Sequence, residues 1–198
     1  MIVLPPDVHP NGMKPALIDY GMTLRPALGG AVQRVSRAGS RYRAEVSFPP
    51  LQGANARRLI SRLLEAKRVG SLRIEYPLFE EAQGLPGTPV VDGAGQAGTS
   101  LNIRGLTPYY AFKEGFWLSI LQADGQPYLH NCRTNVVASA AGLATIAIEP
   151  PLRAPFANGA TILLGTPVIE GFIDGGEQSW DIDVQRIYGV SVTIEEAA

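Results

Sequence analysis

Residues 90–108 read VVDGAGQAGTSLNIRGLTP, and this stretch decides the fold. Gly93, Gly95 and Gly98 have the spacing of a loop that binds the pyrophosphate of a dinucleotide. Such a loop works only between a strand and a helix, because the helix N-terminus supplies the amides and the dipole that hold the phosphates. Here the loop leads into alternating apolar residues over 99–106 and then into Pro108, which predicts a strand and a turn. The sequence therefore argues against a nucleotide-binding enzyme and favours an all-β module.

Composition also favours a β-rich protein. The 22 glycines and 16 prolines among 198 residues exceed average usage and are typical of many short strands joined by tight turns. The single cysteine, Cys132, excludes an intramolecular disulfide framework. No apolar run approaches the ~20 residues of a membrane helix, and the N-terminus lacks a signal-peptide pattern. We therefore expect a soluble protein that makes no membrane contact and stays in the cytoplasm.

Charge is distributed unevenly along the chain. Residues 1–78 carry twelve Lys or Arg against five Asp or Glu, whereas residues 79–198 carry five against thirteen, for a formal net charge of −1. The opposite net charges of the two halves predict charge-complementary contact, either within the chain or between stacked copies. The alternative is a solvated basic helix on one side and acidic strand rims on the other.

The N-terminal part contains the one segment with clear helical periodicity. Residues 54–69 place an apolar stripe beside exposed basic residues, and Gly70 follows where a C-cap glycine belongs. The stripe comprises Ala56, Leu59, Ile60, Leu63, Leu64 and Val69. Nucleic-acid binding by this basic helix is not favoured, because no aromatic residues are interleaved with its arginines. Residues 1–29 read as an irregular edge segment that lies on a neighbour, and the runs 31–37 and 41–48 read as a hairpin.

A set of β-patterned segments follows the glycine-rich loop. Asp124-Gly125, between the second and third of them, is a strong hairpin signal. Short strands at this spacing predict a small barrel or sandwich. The segments are 100–106, 115–122, 128–137, 143–149 and 161–165.

The two ends of the chain are predicted to form one domain. Residues 80–98 are rich in turn-forming residues and mark a candidate domain boundary. From Val168 the chain changes character again, with strand patterns over 169–173, 179–184 and 186–194. The strands at both ends need a sheet partner, and the simplest topology pairs them with each other. We therefore predict a mainly β fold with one principal helix: residues 1–84 and 168–198 form one domain, and 85–167 form an inserted module.

Few side chains offer catalytic chemistry. His130 and Cys132 would share one face of a strand, so a nucleophile–base pair is conceivable, but neither a second histidine nor a helix N-terminus supports it. Asp181 and Asp183 also share a face, although the further ligands of a calcium loop are missing. We predict no catalytic, cofactor-binding or metal-binding residue and no enzymatic activity; an enzyme of unrecognised type is kept as an alternative.

Three sets of short motifs follow one another over residues 30–198. RAEVSFPPL at 43–51 is a strand rich in Arg and Ala that ends in Pro-Pro-Leu before the helix. VDGAGQAG at 91–98 and GLATIAIEPPLR at 142–153 mark the inserted module. Trp180-Asp181, IYGVSV at 187–192 and Glu195-Glu196 close the chain. This series resembles the distal tail protein of long-tailed, siphovirus-type bacteriophages and prophages, and Lys113-Glu114 departs from the Gly-Asp pair expected there.

The resemblance implies a structural virion protein. Proteins of this family form rings, commonly homohexamers, that connect the tail tube protein to the tail hub protein and line the channel for DNA passage. The implied fold is a tail-tube-like β-sandwich belt domain that carries an inserted small β-barrel. The implied location is the virion tail, near the tip or baseplate, and the tail is assembled in the bacterial host cytoplasm. The resemblance implies no specific nucleic-acid binding.

A second interpretation is a carbohydrate-binding β module of a phage or bacterial surface protein. Tyr109 and Tyr110 follow Pro108 in a loop and could contact a sugar. Phe112, Phe116 and Trp117 could extend the platform, although most of these aromatic residues are better explained as barrel core.

Overall fold

A computed structural model describes residues 1–78 and 82–197 and is mainly β, with one principal helix. The first strands are β1 (Ile2–Val3), β2 (Gly12–Ile18), β3 (Met22–Leu24), β4 (Gln33–Val35) and β5 (Arg41–Ser47), followed by helix α1 (Gly53–Val69). The next are β6 (Leu72–Glu75), β7 (Gly87–Val91), β8 (Gly98–Leu106), β9 (Ala111–Phe112), β10 (Trp117–Leu121) and β11 (Pro127–Cys132). The last are β12 (Val136–Val137), β13 (Ala144–Leu152), β14 (Ile162–Leu163), β15 (Val168–Ile173), β16 (Trp180–Ile182) and β17 (Tyr188–Glu196).

The chain divides into two compact units. The terminal unit comprises residues 1–16, 42–77 and 168–197, and the barrel unit comprises residues 17–41 and 78–167. Residues 17–41, which the sequence places with the chain ends, therefore group with the barrel unit instead. Every residue from Met22 to Gly39 is exposed.

The terminal unit is organised around a seven-stranded sheet with the order β1-β6-β15-β17-β5-β2, and β16 also pairs with β17. Strands from the two ends of the chain are neighbours in it: Glu75 of β6 pairs with Val168 of β15, and Val46 of β5 pairs with Val192 of β17. The chain leaves this sheet after β6 and returns to it at β15. The intervening residues are thus inserted between two hydrogen-bonded, antiparallel strands.

Helix α1 spans Gly53–Val69, one residue longer than the predicted 54–69. Its buried side chains are Ala56, Leu59, Leu63 and Ala66. The stripe predicted from sequence was too wide, because Leu64 is 41% and Val69 80% exposed. Gly70 adopts an extended conformation (φ −164°) rather than the left-handed one expected of a C-cap glycine. Lys67, in the last turn, donates a 3.1 Å hydrogen bond to the carbonyl oxygen of Ile173.

The predicted hairpin between residues 31–37 and 41–48 is wrong. Strand β4 pairs with β3, with Thr23 opposite Arg34, whereas β5 lies between β17 and β2. Alternation identifies a strand but not its partner: β5 buries every second side chain and needs an interior position, whereas β4 is exposed throughout. Residues 1–29 are also more regular than predicted, since they contain β1, β2 and β3.

Six strands of the barrel unit form a nearly closed barrel in the order β14-β10-β11-β13-β8-β7. The Val91 amide donates to the Ala160 carbonyl at 2.9 Å, and the Gly159 amide donates to the Val91 carbonyl at 2.9 Å, which joins β7 to the segment before β14. The hairpin predicted at Asp124-Gly125 is confirmed: β10 and β11 pair around it, and Gly125 has a φ of +86°. The small barrel predicted from sequence is therefore present, with β7 and β9 as additional short strands.

Candidate functional site

The glycine-rich loop joins β7 to β8 of the barrel. It leads directly into β8, as predicted, and not into a helix. The Gly93 amide donates to the Asn158 side-chain oxygen at 3.1 Å, and the Gly95 amide donates to the Phe156 carbonyl at 3.3 Å. The Gln96 side chain donates to the Asp92 carbonyl and accepts from the Asn102 amide. The Gly93 and Gly95 amides are therefore bonded within the chain, and a phosphate could reach them only by displacing Asn158 and the Phe156 carbonyl.

The aromatic residues named as a sugar platform do not share one surface. Tyr109 is 69% exposed and has a φ of +60°, which is unusual for a residue other than glycine. Tyr110 is buried, its hydroxyl donates to the Gln83 carbonyl, and burial raises the pKa of Tyr110 to about 12. Phe112 and Phe116 are buried as well, and Trp117 is half-buried. Of the five, only Tyr109 presents most of its side chain to solvent.

An open groove of about 380 Å³ lies on the outside of the barrel. Its polar lining includes Asp92, Asn102 and Thr145, and the Thr145 hydroxyl donates to the Asn102 side-chain oxygen at 2.7 Å. Val137 and Leu143 supply exposed apolar surface at the same groove. The Tyr109 amide donates to the carbonyl of Ser139, another lining residue, at 3.4 Å, so Tyr109 is adjacent to the groove and Tyr110 contributes to the core.

His130 and Cys132 lie on β11 as predicted, but each side chain is hydrogen-bonded to a different backbone carbonyl and not to the other. Nδ1 of His130 lies 2.9 Å from the Pro150 carbonyl oxygen, and Sγ of Cys132 donates to the Thr134 carbonyl at 3.3 Å. Burial lowers the pKa of His130 to about 3 and raises the pKa of the Cys132 thiol. Both groups are therefore neutral at neutral pH, and the thiolate that a nucleophile requires is disfavoured.

Asp181 and Asp183 lie on the exposed hairpin formed by β16 and the start of β17. The Asp183 amide donates to the Ile187 carbonyl at 2.9 Å, which closes the turn. Within residues 1–78 and 82–197, no group of three or more His, Cys, Asp or Glu side chains is arranged to hold a metal ion.

Two extended segments expose apolar side chains, and we name them the arm (residues 17–41) and the acidic hairpin (residues 177–190). The arm carries strands β3 and β4, and the acidic hairpin carries β16 and the start of β17. Residues 179–186 are all exposed, as are residues 22–39. The large exposed apolar side chains of the arm are Leu17, Tyr20, Met22, Leu24, Leu28, Val32 and Val35. Those of the acidic hairpin are Trp180, Ile182 and Val184.

Strand register groups these apolar residues by face. Met22 pairs with Val35, and Leu24 pairs with Gln33, so Met22, Leu24 and Val35 share one face of the arm. Trp180 and Ile182 share one face of β16 because side chains alternate along a strand. Strand β4 lies within the predicted run 31–37. Sequence reasoning missed β3, although Tyr20, Met22 and Leu24 have the two-residue spacing that could have revealed it.

Charges of opposite sign meet inside the terminal unit. It contains nine Lys or Arg and eleven Asp or Glu, so it combines the basic helix with the acidic C-terminal segment. Arg73 pairs with Glu170 at 2.6 Å, and Arg43 pairs with Asp174 at 2.9 Å. Complementary contact within the chain, one of the two options raised by the charge pattern, therefore occurs.

The arm and the acidic hairpin carry opposite charges. The arm has four arginines against one aspartate, and the acidic hairpin has three acidic residues against one arginine. In the part of the chain that the structure describes, Arg25 and Arg37 of the arm form no ion pair, and neither do Glu177 and Asp181 of the acidic hairpin. These four charges are therefore available to a partner.

No family model matches the chain, and no curated protein matches it in sequence. Among the described residues, no helix has both the length and the apolar character that crossing a bilayer requires.

Proposed function

We propose that this chain is a structural virion protein: the distal tail protein that forms a ring between the tail tube and the tail-tip hub of a long-tailed bacteriophage or prophage. The observation that carries the proposal is the exposed apolar surface of the arm and the acidic hairpin. Clustered exposed apolar side chains on strands with unpaired edges are typical of surfaces that another chain covers. A self-assembling structural protein requires such surfaces.

The architecture supports the same proposal. The family resemblance implies a belt domain that carries a β-barrel, and here a nearly closed barrel is inserted between paired strands of a sheet that packs one helix. On this proposal copies of the chain form a ring, commonly of six, and strands of the terminal unit line the channel for DNA. The charges not used within the chain then direct stacking on the tube and the hub.

The test is to locate the chain in intact particles. Phage particles induced from the bacterium that carries this gene would be purified and imaged by cryo-electron microscopy. We expect density for this chain as a ring at the distal end of the tail tube, above the hub. Its absence from purified tails, shown by mass spectrometry of the same particles, would overturn the proposal.

The groove on the barrel favours a second candidate, carbohydrate binding. It combines polar side chains that can bond hydroxyl groups with the exposed apolar surface of Val137 and Leu143, and the backbone of the exposed Tyr109 is bonded to Ser139 in its lining. Glycan-array binding that is lost on Tyr109→Ala and kept on Tyr20→Ala, another exposed tyrosine, would support it. Tyr110→Ala is unsuitable for this test, because the buried side chain belongs to the core. An array without any bound glycan would remove this candidate.

A further inference from the structure

We propose that the arm of one copy binds the acidic hairpin of the next copy, so that each chain contributes one of each surface to a head-to-tail contact. The inference rests on the proposed ring-forming function and names the two surfaces that build the ring. It commits to a second copy of this chain as the partner, since both halves of a complementary pair are present on one polypeptide.

The first argument is apolar matching. Met22, Leu24 and Val35 form an exposed face on the two-stranded arm, and Trp180 and Ile182 form an exposed face on β16. Neither face buries much apolar surface by itself, but packing one face on the other removes both from water. The β3–β4 ribbon and the outer edge of β16 also have backbone groups that can pair with a further strand.

The second argument is charge. The arm carries a net +3 and the acidic hairpin a net −2, counted from Asp, Glu, Lys and Arg. Arg25 and Arg37 on one side and Glu177 and Asp181 on the other form no ion pair within the described chain. Opposite potentials steer the two surfaces together and set their orientation.

The same charges disfavour the symmetric alternatives. An arm–arm contact would bring arginines together, and a hairpin–hairpin contact would bring carboxylates together, which costs free energy when they are desolvated. A two-fold dimer through either surface alone is therefore disfavoured. A contact between two different surfaces repeats from copy to copy and closes into a ring when the rotation allows it.

The test uses cysteine cross-linking between two variants of the full chain. The native Cys132 is buried, so an introduced thiol is the reactive one. Leu24→Cys in one tagged chain and Ile182→Cys in an untagged chain would be mixed at high concentration and oxidised. We expect a covalent mixed dimer, whereas neither variant forms one alone. Arg57→Cys, on the exposed side of the helix, replaces Leu24→Cys as the matched control and should give no mixed dimer with Ile182→Cys.

A charge exchange keeps the proposal testable if a cysteine variant fails to fold. Arg25→Glu with Arg37→Glu in the arm should reduce self-association at least tenfold, measured by analytical ultracentrifugation at low salt. Adding Glu177→Arg with Asp181→Arg in the partner chain should restore association of the mixture. Arg57→Glu with Arg62→Glu, on the helix, is the matched control and should leave association unchanged.

The outcomes separate this inference from the proposed function. Rings seen in tails, together with no mixed cross-link and no rescue by charge exchange, would overturn the arm–hairpin contact and leave the ring function standing. Cross-linking and rescue in a chain that is absent from tails would support the contact and overturn the tail function. Cross-links formed by either variant alone would replace the head-to-tail contact with a symmetric one.

Discussion

At the scale of single residues, burial in the barrel changes the acid–base chemistry of His130. Its ring is fully buried, Nδ1 faces the Pro150 carbonyl, and Nε2 has no hydrogen-bond partner among the described residues. Burial is the main cause that lowers the pKa of His130 to about 3, and the Arg153 guanidinium lowers it further. That guanidinium lies 4.8 Å from the centre of the Tyr128 ring. Protonation inside the barrel would therefore place a second positive charge where solvent cannot stabilise it.

The first prediction concerns pH. Between pH 6.5, which is the ordinary pKa of histidine, and about pH 3, His130 of the unfolded chain binds a proton that the folded residue cannot bind. The folded state therefore loses stability as the pH falls below 6.5. At pH 5 the loss is about 2 kcal/mol. In a Trp180→Phe background, Trp117 fluorescence during guanidinium unfolding would report the barrel unit. We expect His130→Gln to remove most of this pH dependence; parallel pH profiles for both proteins would contradict the assignment.

At the scale of elements, helix α1 shows how periodicity predicts a helix better than it predicts its buried face. Leu63 is 1% exposed and Leu64 is 41% exposed, although both belong to the predicted stripe. Helical geometry turns adjacent residues by about 100°. Which of the two faces the sheet is decided by how the helix is rotated on β15 and its neighbours, and that information is not local.

The second prediction compares these two leucines. Leu63→Ala removes a buried side chain and leaves a cavity, so we expect a loss of about 2–5 kcal/mol in the free energy of unfolding. Leu64→Ala, the matched control on the same helix, should cost less than about 1 kcal/mol. Denaturant unfolding monitored by circular dichroism at 222 nm measures both. Equal losses would mean that the helix packs through a different face.

At the scale of the whole molecule, the connection between the two units follows from one pair of strands. Glu75 and Val168 are direct partners across β6 and β15, yet the chain between them contains the complete barrel. Bridging two hydrogen-bonded strand ends requires only a short turn, because antiparallel neighbours can be joined by two residues. The sheet of the terminal unit therefore does not depend on the inserted chain for its connectivity.

The third prediction tests this domain organisation. Replacing residues 76–167 with an Asn-Gly turn should leave a chain that folds, because Glu75 and Val168 then flank a two-residue loop and β6 and β15 form an ordinary hairpin. A dispersed amide spectrum by NMR and cooperative thermal unfolding are the expected results. The matched control inserts the same Asn-Gly pair within β17 in place of Val192-Thr193, where it removes the buried Val192 and should prevent folding. A replacement chain that aggregates or remains unfolded would show that the two units fold only together.

Sequence alone determined the elements whose signals are local. The glycine-rich loop followed by a strand, the helix over nearly its full length, the Asp124-Gly125 hairpin and the barrel strands all depend on short-range periodicity and turn chemistry. Tertiary structure decided the rest: that β4 joins β3 instead of β5, that Tyr110 is buried while Tyr109 is exposed, and that the arm and the acidic hairpin remain uncovered. The physical reason is that alternation specifies which side chains share a face of a strand. The partner strand, the pairing register and whether that face is covered are set by residues distant in the chain.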